Sequence, residues 1–384
     1  MTLAKICSVV VETTKTTYTK KATPTNFLIL KKMKIAIVIL NYNGKNHLEQ
    51  FLPSVLEYSN SNRAENASFS PEVIVADNAS TDDSIPFLQQ NYPDLRLIRL
   101  DRNYGFAEGY NQALAKVKSD VFVLLNSDVE VTENWLAPIV TLMENDEKIA
   151  ACQPKIRAFH QKTYFEHAGA SGGFMDSFGY PFCRGRIFHH VEADYGQYDD
   201  LQEIFWATGA ALFIKSDLYQ KIGGLDGDYF AHMEEIDLCW RLRKAGYKIM
   251  VCPESTVYHV GGGTLNSENP FKTYLNFRNN LVTILKNEVG VKTLFIFFIR
   301  LVLDGLAALQ FLLKGEFRNI WAVLKAHFYI YGHAFSILRK RMKSQQLVDE
   351  LYIGEPRKKG KLNGSIVLKS FAFGKKKFTD LEID

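Results

Sequence analysis

Four short apolar runs, each broken off by a polar cluster, constrain this chain more than any other feature. They read KIAIVIL (34–40), EVIVADNAS (72–80), LRLIRL (95–100) and DVFVLLNSD (120–128). Each is of strand length and ends in turn-forming residues. Between them lie stretches with helical spacing: HLEQFLPSVLEYS (47–59), DDSIPFLQQNY (82–92) and GFAEGYNQALAKVK (105–118). In the first, Leu48, Phe51, Leu52, Val55 and Leu56 share a side. Strands alternating with helices imply right-handed crossovers and a mostly parallel α/β sheet. In such a sheet, ligands bind beyond the carboxyl ends of the strands. The polar clusters 41–44, 77–84 and 126–128 all fall there, so they are expected to converge on one edge.

Further along, 155–205 is irregular, aromatic and glycine-rich, and reads as a long loop over that edge. WATGAALFIKSDLYQKIGGLD (206–226) returns to strand and helix. HMEEIDLCWR (232–241) opens a helix that stops at Gly246, before a strand and the glycine turn 261–263. At 384 residues the chain suits about two structured units. A net charge of +4 does not point to nucleic acid. Five scattered cysteines without a CxxC pair argue for reduced thiols in a cytosolic setting, against a disulfide framework or zinc site. Residues 1–32 are expected to be a flexible tail, or an upstream extension of a chain that starts at Met33. They do not have the character of a signal peptide.

Several residues could carry chemistry. Asp128 ends a buried strand, which either is turn chemistry or provides a ligand for Mg²⁺ or Mn²⁺. Asp77 and Asn78 either form an Asx-turn or helix cap, or accept hydrogen bonds from a base or ribose. Asn103 and Gly105 would bring bare backbone near a phosphate, unless the glycine serves packing. Glu234, Glu235 and Asp237 crowd a helix start, where negative charge complements the macrodipole. Asp237 and Arg241 are spaced to pair. Glu234 and Glu235 follow the apolar YFAHM, a setting in which a carboxylate can serve as general base. His259 either is structural or adds a metal ligand.

Seven stretches in order, VILNYNG, VIVADNASTDDS, NYGFAEGYNQAL, LLNSDVEV, WATGAALFIK, MEEIDLCWRLRKAGYKI and VYHVGGGT, resemble the family-2 glycosyltransferases of the rhamnosyltransferase-like kind. The resemblance covers roughly 33–280 and implies a GT-A nucleotide-diphospho-sugar transferase fold, Rossmann-like. It implies donor contacts at Tyr42, Asp77, Asn103, Gly105 and Asn126. Asn126-Ser127-Asp128 matches the family's DxD-type element, with Asn for its first acid and Asp128 on the metal and diphosphate. Glu235 matches the catalytic acid, with Glu234 as the alternative, and His259 a histidine that completes the metal site. The implied activity is inverting transfer from a nucleotide-diphosphate sugar, with Mn²⁺ or Mg²⁺, to a hydroxyl of a glycan or lipid-linked acceptor in cell-surface polysaccharide synthesis. Two other readings remain open at this stage. One is a nucleotidyltransferase, for which NYNGKNH offers only Lys45; the other is a non-catalytic sugar-nucleotide-binding subunit.

The C-terminal third is divided into helices over 281–345 and a basic tail over 346–384. LFIFFIRLVLDGLAALQFLL (294–313) is long enough to span a bilayer at about 20 residues. Arg300 and Asp304 interrupt it one turn apart, where they could pair. A helix lying in the membrane interface, or packed in a hairpin with 320–337, is therefore expected over a span. With the basic runs 338–343, 357–361 and 375–377, this places the protein at the cytoplasmic face of the membrane, peripheral or monotopic.

Overall fold

In a computed structural model of the chain, residues 32–60, 68–261 and 269–383 are described. Residues 1–31 of the expected tail, and Gly262 and Gly263 of the glycine turn, lie outside them. The chain begins β1 (Met33–Asn41), α1 (Lys45–Asn60), β2 (Phe69–Asp77), α2 (Ser84–Asn91), β3 (Arg96–Arg99), α3 (Gly105–Leu114) and β4 (Val121–Asn126). Next come β5 (Val129–Val131), α4 (Ala137–Asn145) and β6 (Ile149–Ala158). Short strands β7 (Gly173–Asp176), β8 (Pro181–Cys183), β9 (Arg186–Ile187) and β10 (His190–Val191) lead to β11 (Gln202–Ile204) and β12 (Ala211–Lys215). Then follow α5 (Ser216–Lys221), α6 (Glu234–Lys244) and β13 (Lys248–His259). The C-terminal third holds α7 (Pro270–Asn287), α8 (Lys292–Leu313), α9 (Phe317–Gly332), α10 (Ala334–Glu350), β14 (Lys361–Leu362) and α11 (Ile366–Phe371).

The main sheet runs β11-β13-β6-β12-β4-β1-β2-β3, with β5 attached to β13. Strands β1 to β4 are mutually parallel, and β6 and β13 run with them. Only β11 and β12 oppose that direction in the path. Alternate side chains feed two cores. Ala36, Val38, Ile74, Ala76, Phe122 and Leu124 meet α3, α5 and α6, while Ile35, Ile37, Val73, Val75, Val121 and Val123 meet α1 and α4. Both faces are covered, so these strands read as unbroken apolar runs. Leu40 pairs with Ala76 and Asn126, and Asn41 with Asp77, so β1 and β2 end level and β4 one residue short of them.

The stretch expected to be a loop over the site is partly a second sheet, ordered β10-β9-β8-β7-β14. Its strands are too short for alternation to register, and its edge strand comes from the far C-terminus. Arg357 and Lys361 of the basic tail are half-buried, while Lys358, Lys359, Lys375, Lys376 and Lys377 stay exposed. Arg357 pairs with Glu203 at 2.5 Å, and the buried Arg243 donates to the carbonyls of Arg357 and Lys359.

In α8 the two charges face inward. Arg300 and Asp304 are buried and pair at 3.0 Å. Tyr180 Oη donates to Asp304 at 3.1 Å, His327 Nε2 lies 3.1 Å from the other oxygen, and Arg300 also donates to Asn280. The guanidinium stacks on the Tyr180 ring at 3.9 Å. Asp304→Ala would strand a buried arginine, so denaturant unfolding at neutral pH should show a loss of about 3–5 kcal/mol. Replacing both by leucine should cost clearly less.

Candidate active site

At the carboxyl edge of β1 and β2, Asn41 and Asp77 are both buried. Asn41 Nδ2 donates to Asp77 Oδ1 (3.1 Å) and Ser80 Oγ (3.1 Å), and the Ser80 amide donates to Asp77 Oδ2 (3.0 Å). Asn41 Oδ1 is buried without a partner. The Asp77 carboxylate is thus fixed in direction, yet it has lone pairs to spare. Tyr42 beside it is 48% exposed, presenting its ring at the edge. Capping falls instead to Asp82, whose oxygens accept from the amides of Lys45 and Ser84, each at 3.0 Å.

Asn78 reaches across to the next connection. Its Nδ2 donates to Asn103 Oδ1 (3.1 Å) and the Gly105 carbonyl (2.9 Å), and its Oδ1 accepts from the Tyr104 amide (3.0 Å). Gly105 has φ +74°, and a Cβ there would lie 2.6 Å from the Phe230 ring. The glycine at the head of α3 thus makes room for Phe230, whose carbonyl accepts from the Phe106 amide at 2.8 Å.

Past β4 lies a buried row of three side chains. Asp128 Oδ1 is 3.2 Å from His259 Nε2, and His259 Nδ1 is 3.3 Å from Glu166 Oε2. Asn126 Nδ2 is 3.4 Å from the same Nε2. Backbone pairing explains the meeting: His259 ends β13 opposite Val129 in β5, and the Val260 amide donates to the Asp128 carbonyl. Glu166 returns beside β6, its amide donating to the Ile156 carbonyl. Burial alone would depress the His259 pKa, but hydrogen bonds and charge from both carboxylates overcome it and lift the ring to about 10. Burial pushes Asp128 up, and the hydrogen bond and charge of His259 more than reverse it. Among the described residues, no group of three or more His, Cys, Asp or Glu is placed to hold a metal ion.

The start of α6 is strained and acidic. Phe230, His232 and Met233 all have left-handed φ, at 65°, 70° and 75°. Such a backbone persists only when its surroundings impose it. Asn279 of α7 does so, donating to the carbonyls of Tyr229 (3.1 Å), Ala231 (2.8 Å) and His232 (2.8 Å). Glu234 is buried and its pKa is raised well above normal, by burial and by neighbouring Glu235. Glu235 is half-buried, and burial lifts it to about 7. Each has an Oε2 with no partner. Asp237 is spent on structure, with Arg241 at 3.0 Å, Lys286 at 3.0 Å and Asn287 at 2.7 Å.

Every sequence-predicted residue thus lies at a strand end or at the head of α3 or α6. Asp128, Asn126 and His259 form one cluster; Asp77 joins Asn41, while Asn103 and Gly105 join Asn78. The α6 pair is linked to α3 through Phe230. Sequence reasoning missed Glu166 and Asn279. Neither has a motif or periodicity, and each acts through a contact made only in the folded chain.

Residues 36–223 match the family model described as Glycosyl transferase family 2. That stretch, just under half of the chain, thus has the character of a family-2 glycosyltransferase domain, and the chain is similar to rhamnosyltransferases. It is 25% identical over 243 residues to the N-acetylglucosaminyl-diphospho-decaprenol L-rhamnosyltransferase of Mycobacterium tuberculosis, covering 59% of this chain and 75% of that protein. It is 22% identical over 255 residues to the low-salt glycan biosynthesis hexosyltransferase Agl10 of Haloferax volcanii, covering 65% and 74%. The mannosyltransferase PcManGT of Pyrobaculum calidifontis, solved with GDP-Man and Mn²⁺, aligns at 14% identity and TM-score 0.47, over 83% of this chain and 85% of that one. That likeness is too remote to bear on individual residues. The family match ends before Glu234, Glu235 and His259.

Asn279→Ala removes the donor that three carbonyls share. Unfolding should show a loss of about 1–3 kcal/mol, and amide exchange over 229–236 should quicken.

Proposed function

We propose that the chain moves a sugar, with inversion, from a nucleotide-diphosphate donor to an acceptor hydroxyl, with Glu235 as general base. The observation that carries this reading is the unequal state of the adjacent acids at the head of α6. Burial and the neighbouring Glu235 push the Glu234 pKa well up, whereas Glu235 is lifted to about 7 and has an oxygen without a partner. A general base works best when poised near the operating pH. A glycosyl nucleophile would have to be ionised, which burial and the neighbouring Glu235 oppose at Glu234. One base and one displacement therefore leave the anomeric centre inverted. The acceptor oxygen bonds to the anomeric carbon as the bond to the diphosphate breaks, and the hydroxyl proton passes to Glu235.

Tyr42, Asp77, Asn103 and Gly105 are assigned to the donor edge. Asp128 and His259 are assigned to a divalent cation, with Asn126 beside them. A carboxylate and an imidazole suit Mn²⁺, and a sparse protein set leaves positions for phosphate oxygens; His259 would have to give up the proton that Asp128 and Glu166 hold on it, so binding of the cation would release a proton. When bound, the cation would neutralise charge on the departing diphosphate. Glu166 would fix the orientation of the His259 ring, as partners of metal-bound histidines do.

A nucleotidyltransferase would need cations for a triphosphate in the first turn. The one lysine there, Lys45, is 3.1 Å from Glu49, and Asp77 and Asp82 face the same turn.

The acceptor is assigned to a glycan or a lipid-linked sugar at the cytoplasmic face of the membrane. The Mycobacterium relative is named for a decaprenol-linked substrate. In this chain α8 exposes Phe295, Phe298, Val302, Leu306 and Leu309, and α9 exposes Phe317, Trp321, Leu324 and Phe328. Helical spacing puts each set on one stripe, as an interfacial helix requires. With Arg300 and Asp304 held inside the protein, α8 lies on the bilayer instead of crossing it. The four described cysteines are free thiols, which suits the cytosolic side.

Calorimetry with UDP, dTDP and GDP should show cation-dependent binding of one nucleotide, and Asp128→Ala should weaken it by about tenfold or more. No binding of any of the three would overturn the donor site. Glu235→Gln should leave that binding intact and reduce transfer by about 10²–10⁴-fold. Because the carboxylate is the active form, wild-type kcat/KM should fall as pH drops below about 7 and level off above it. The same proton is bound more tightly in the folded state, so Glu235 lowers stability as pH rises from its unfolded value of about 4.5 to about 7. Phe298→Glu with Val302→Glu should abolish sedimentation with anionic vesicles while nucleotide binding persists.

A further inference from the structure

Asn279 can hold the strained segment only one way round. Its amide hydrogens serve the carbonyls of Tyr229, Ala231 and His232 at 3.1, 2.8 and 2.8 Å. Turned over, the amide would set its own oxygen against those carbonyl oxygens, and the bonds would be lost. The neighbouring Arg278 selects the working orientation, because its Nε donates to Asn279 Oδ1 at 2.7 Å. The same guanidinium also grips the segment directly. Its Nη2 donates to the carbonyls of Asp228 (3.0 Å) and Tyr229 (2.9 Å). Between them, Arg278 and Asn279 hold the carbonyls of 228, 229, 231 and 232, the stretch just before Glu234 and Glu235.

Two rings fix the plane from which both sets of bonds are made. The guanidinium carbon lies 5.3 Å from the Tyr274 ring of α7 and 5.2 Å from the Tyr329 ring of α9. Tyr329 is in turn stacked on His333 at 3.9 Å, where α9 gives way to α10. Lysine could not replace this group, since a single ammonium cannot donate in two directions from a stacked plane. The cleft that Arg278 shares with Val282 and Ile337 measures about 10 Å³, room for about one water and for no sugar or nucleotide. That leaves the backbone of 228–232 as its route to the reaction. The bonds oppose relaxation of Phe230, His232 and Met233 from left-handed φ. Were they lost, the turn entering α6 could change direction, and Glu235 with it.

We propose that Arg278 is a positioning residue for the transfer: by orienting the Asn279 amide and holding the same carbonyls, it sets where Glu235 presents its carboxylate. It touches neither donor nor acceptor. The role rests on the reading of Glu235 as general base.

The test compares Arg278→Lys, Asn279→Ala and the double variant with wild type, all as the full chain. Carbon NMR of the Glu235 carboxyl reads the setting of the base. It should titrate near 7 in wild type and move towards about 4.5 in Arg278→Lys, as the side chain leaves its buried place. The titrating neighbours Glu234, Asp237 and Cys239 are the same in every variant. Turnover is read as hydrolysis of GDP-mannose, UDP-N-acetylglucosamine or dTDP-rhamnose, in which water bonds to the anomeric carbon, the bond to the diphosphate breaks and Glu235 takes the proton. In Arg278→Lys, kcat should fall by about tenfold or more with donor KM unchanged. Added to Asn279→Ala, the lysine should cost clearly less than it does alone. Tyr329→Leu, which removes one stacking ring, should show the same signature more weakly, and it decides if Arg278→Lys does not fold. Where none of the three sugars is hydrolysed, the carboxyl titration decides. A folded Arg278→Lys with wild-type kcat, or with Glu235 still titrating near 7, overturns the positioning role. So does a rise in donor KM at constant kcat, which would put Arg278 on the substrate, and so do penalties that simply multiply in the double variant. A wild-type Glu235 that titrates near 4.5, or hydrolysis that survives Glu235→Gln, overturns the base assignment itself, and the positioning role with it.

Discussion

Backbone register in the main sheet decides where the polar side chains at the active edge lie. Leu40 is level with Ala76 and Asn126, and Asn41 with Asp77, because β1 pairs in parallel with both neighbours. A slip of one residue would turn Asn41, Asp77 and Asn126 to the opposite face and put apolar residues in their place. Two separate cores, one on each face, make such a slip costly. The same logic holds across the sheet: β13 pairs antiparallel with β5, so His259 faces Val129 and its ring meets Asp128. Position at this edge follows from hydrogen bonding deep in the sheet, and the side chains need only reach outward.

Where no sheet reaches, α7 supplies the rigidity. The segment before α6 carries three left-handed residues, each costing on the order of 1–3 kcal/mol. Asn279 holds the carbonyls of that segment, and four residues on, Thr283 lies 2.7 Å from Tyr229 Oη. One turn further, Lys286 bridges Asp226 (2.7 Å) and Asp237 (3.0 Å), the latter within α6 itself. A single face of α7 therefore fixes both the strained entry and the body of α6. The strain has a use: it presents Glu234 and Glu235 at the first turn while their backbone follows a path no ordinary cap would take. Met233, the cap residue, makes no side-chain capping bond.

Much of this was legible in the residues, because strands buried on both faces and broken by Asn or Asp leave a plain signal. β1, β2, β4 and the acidic head of α6 all declare themselves by composition over a few residues. The pairing of Arg300 with Asp304 was legible too, from spacing alone. What they pack against was not, since Tyr180, Asn280 and His327 come from three different elements. Glu166 was invisible for the same reason. Its place depends on Phe165 bridging Arg157 as the chain turns back on β6. The small sheet escaped because two- to four-residue strands show no period, and β14 joins it from the far end of the chain. Local pattern reveals elements and their ends; contacts between distant segments belong to the folded chain.

Burial also sorts charge in α8, and there it reverses the usual arrangement. A surface helix normally turns its polar face to water and its apolar face inward. Here Arg300 and Asp304 are sequestered while phenylalanines and leucines point out. Two fully desolvated charges are tolerable because each is satisfied several times over, by its partner, by Asn280, Tyr180 and His327. With its polar content used inside, the helix has only hydrocarbon left for its outer stripe, and α9 adds a second beside it. Contiguous apolar surface of this kind is unfavourable against water and usually marks a binding face. The inward network is what makes an apolar exterior compatible with a helix that stays attached to the catalytic domain. Under the reading proposed above, that outer face is the one that meets lipid.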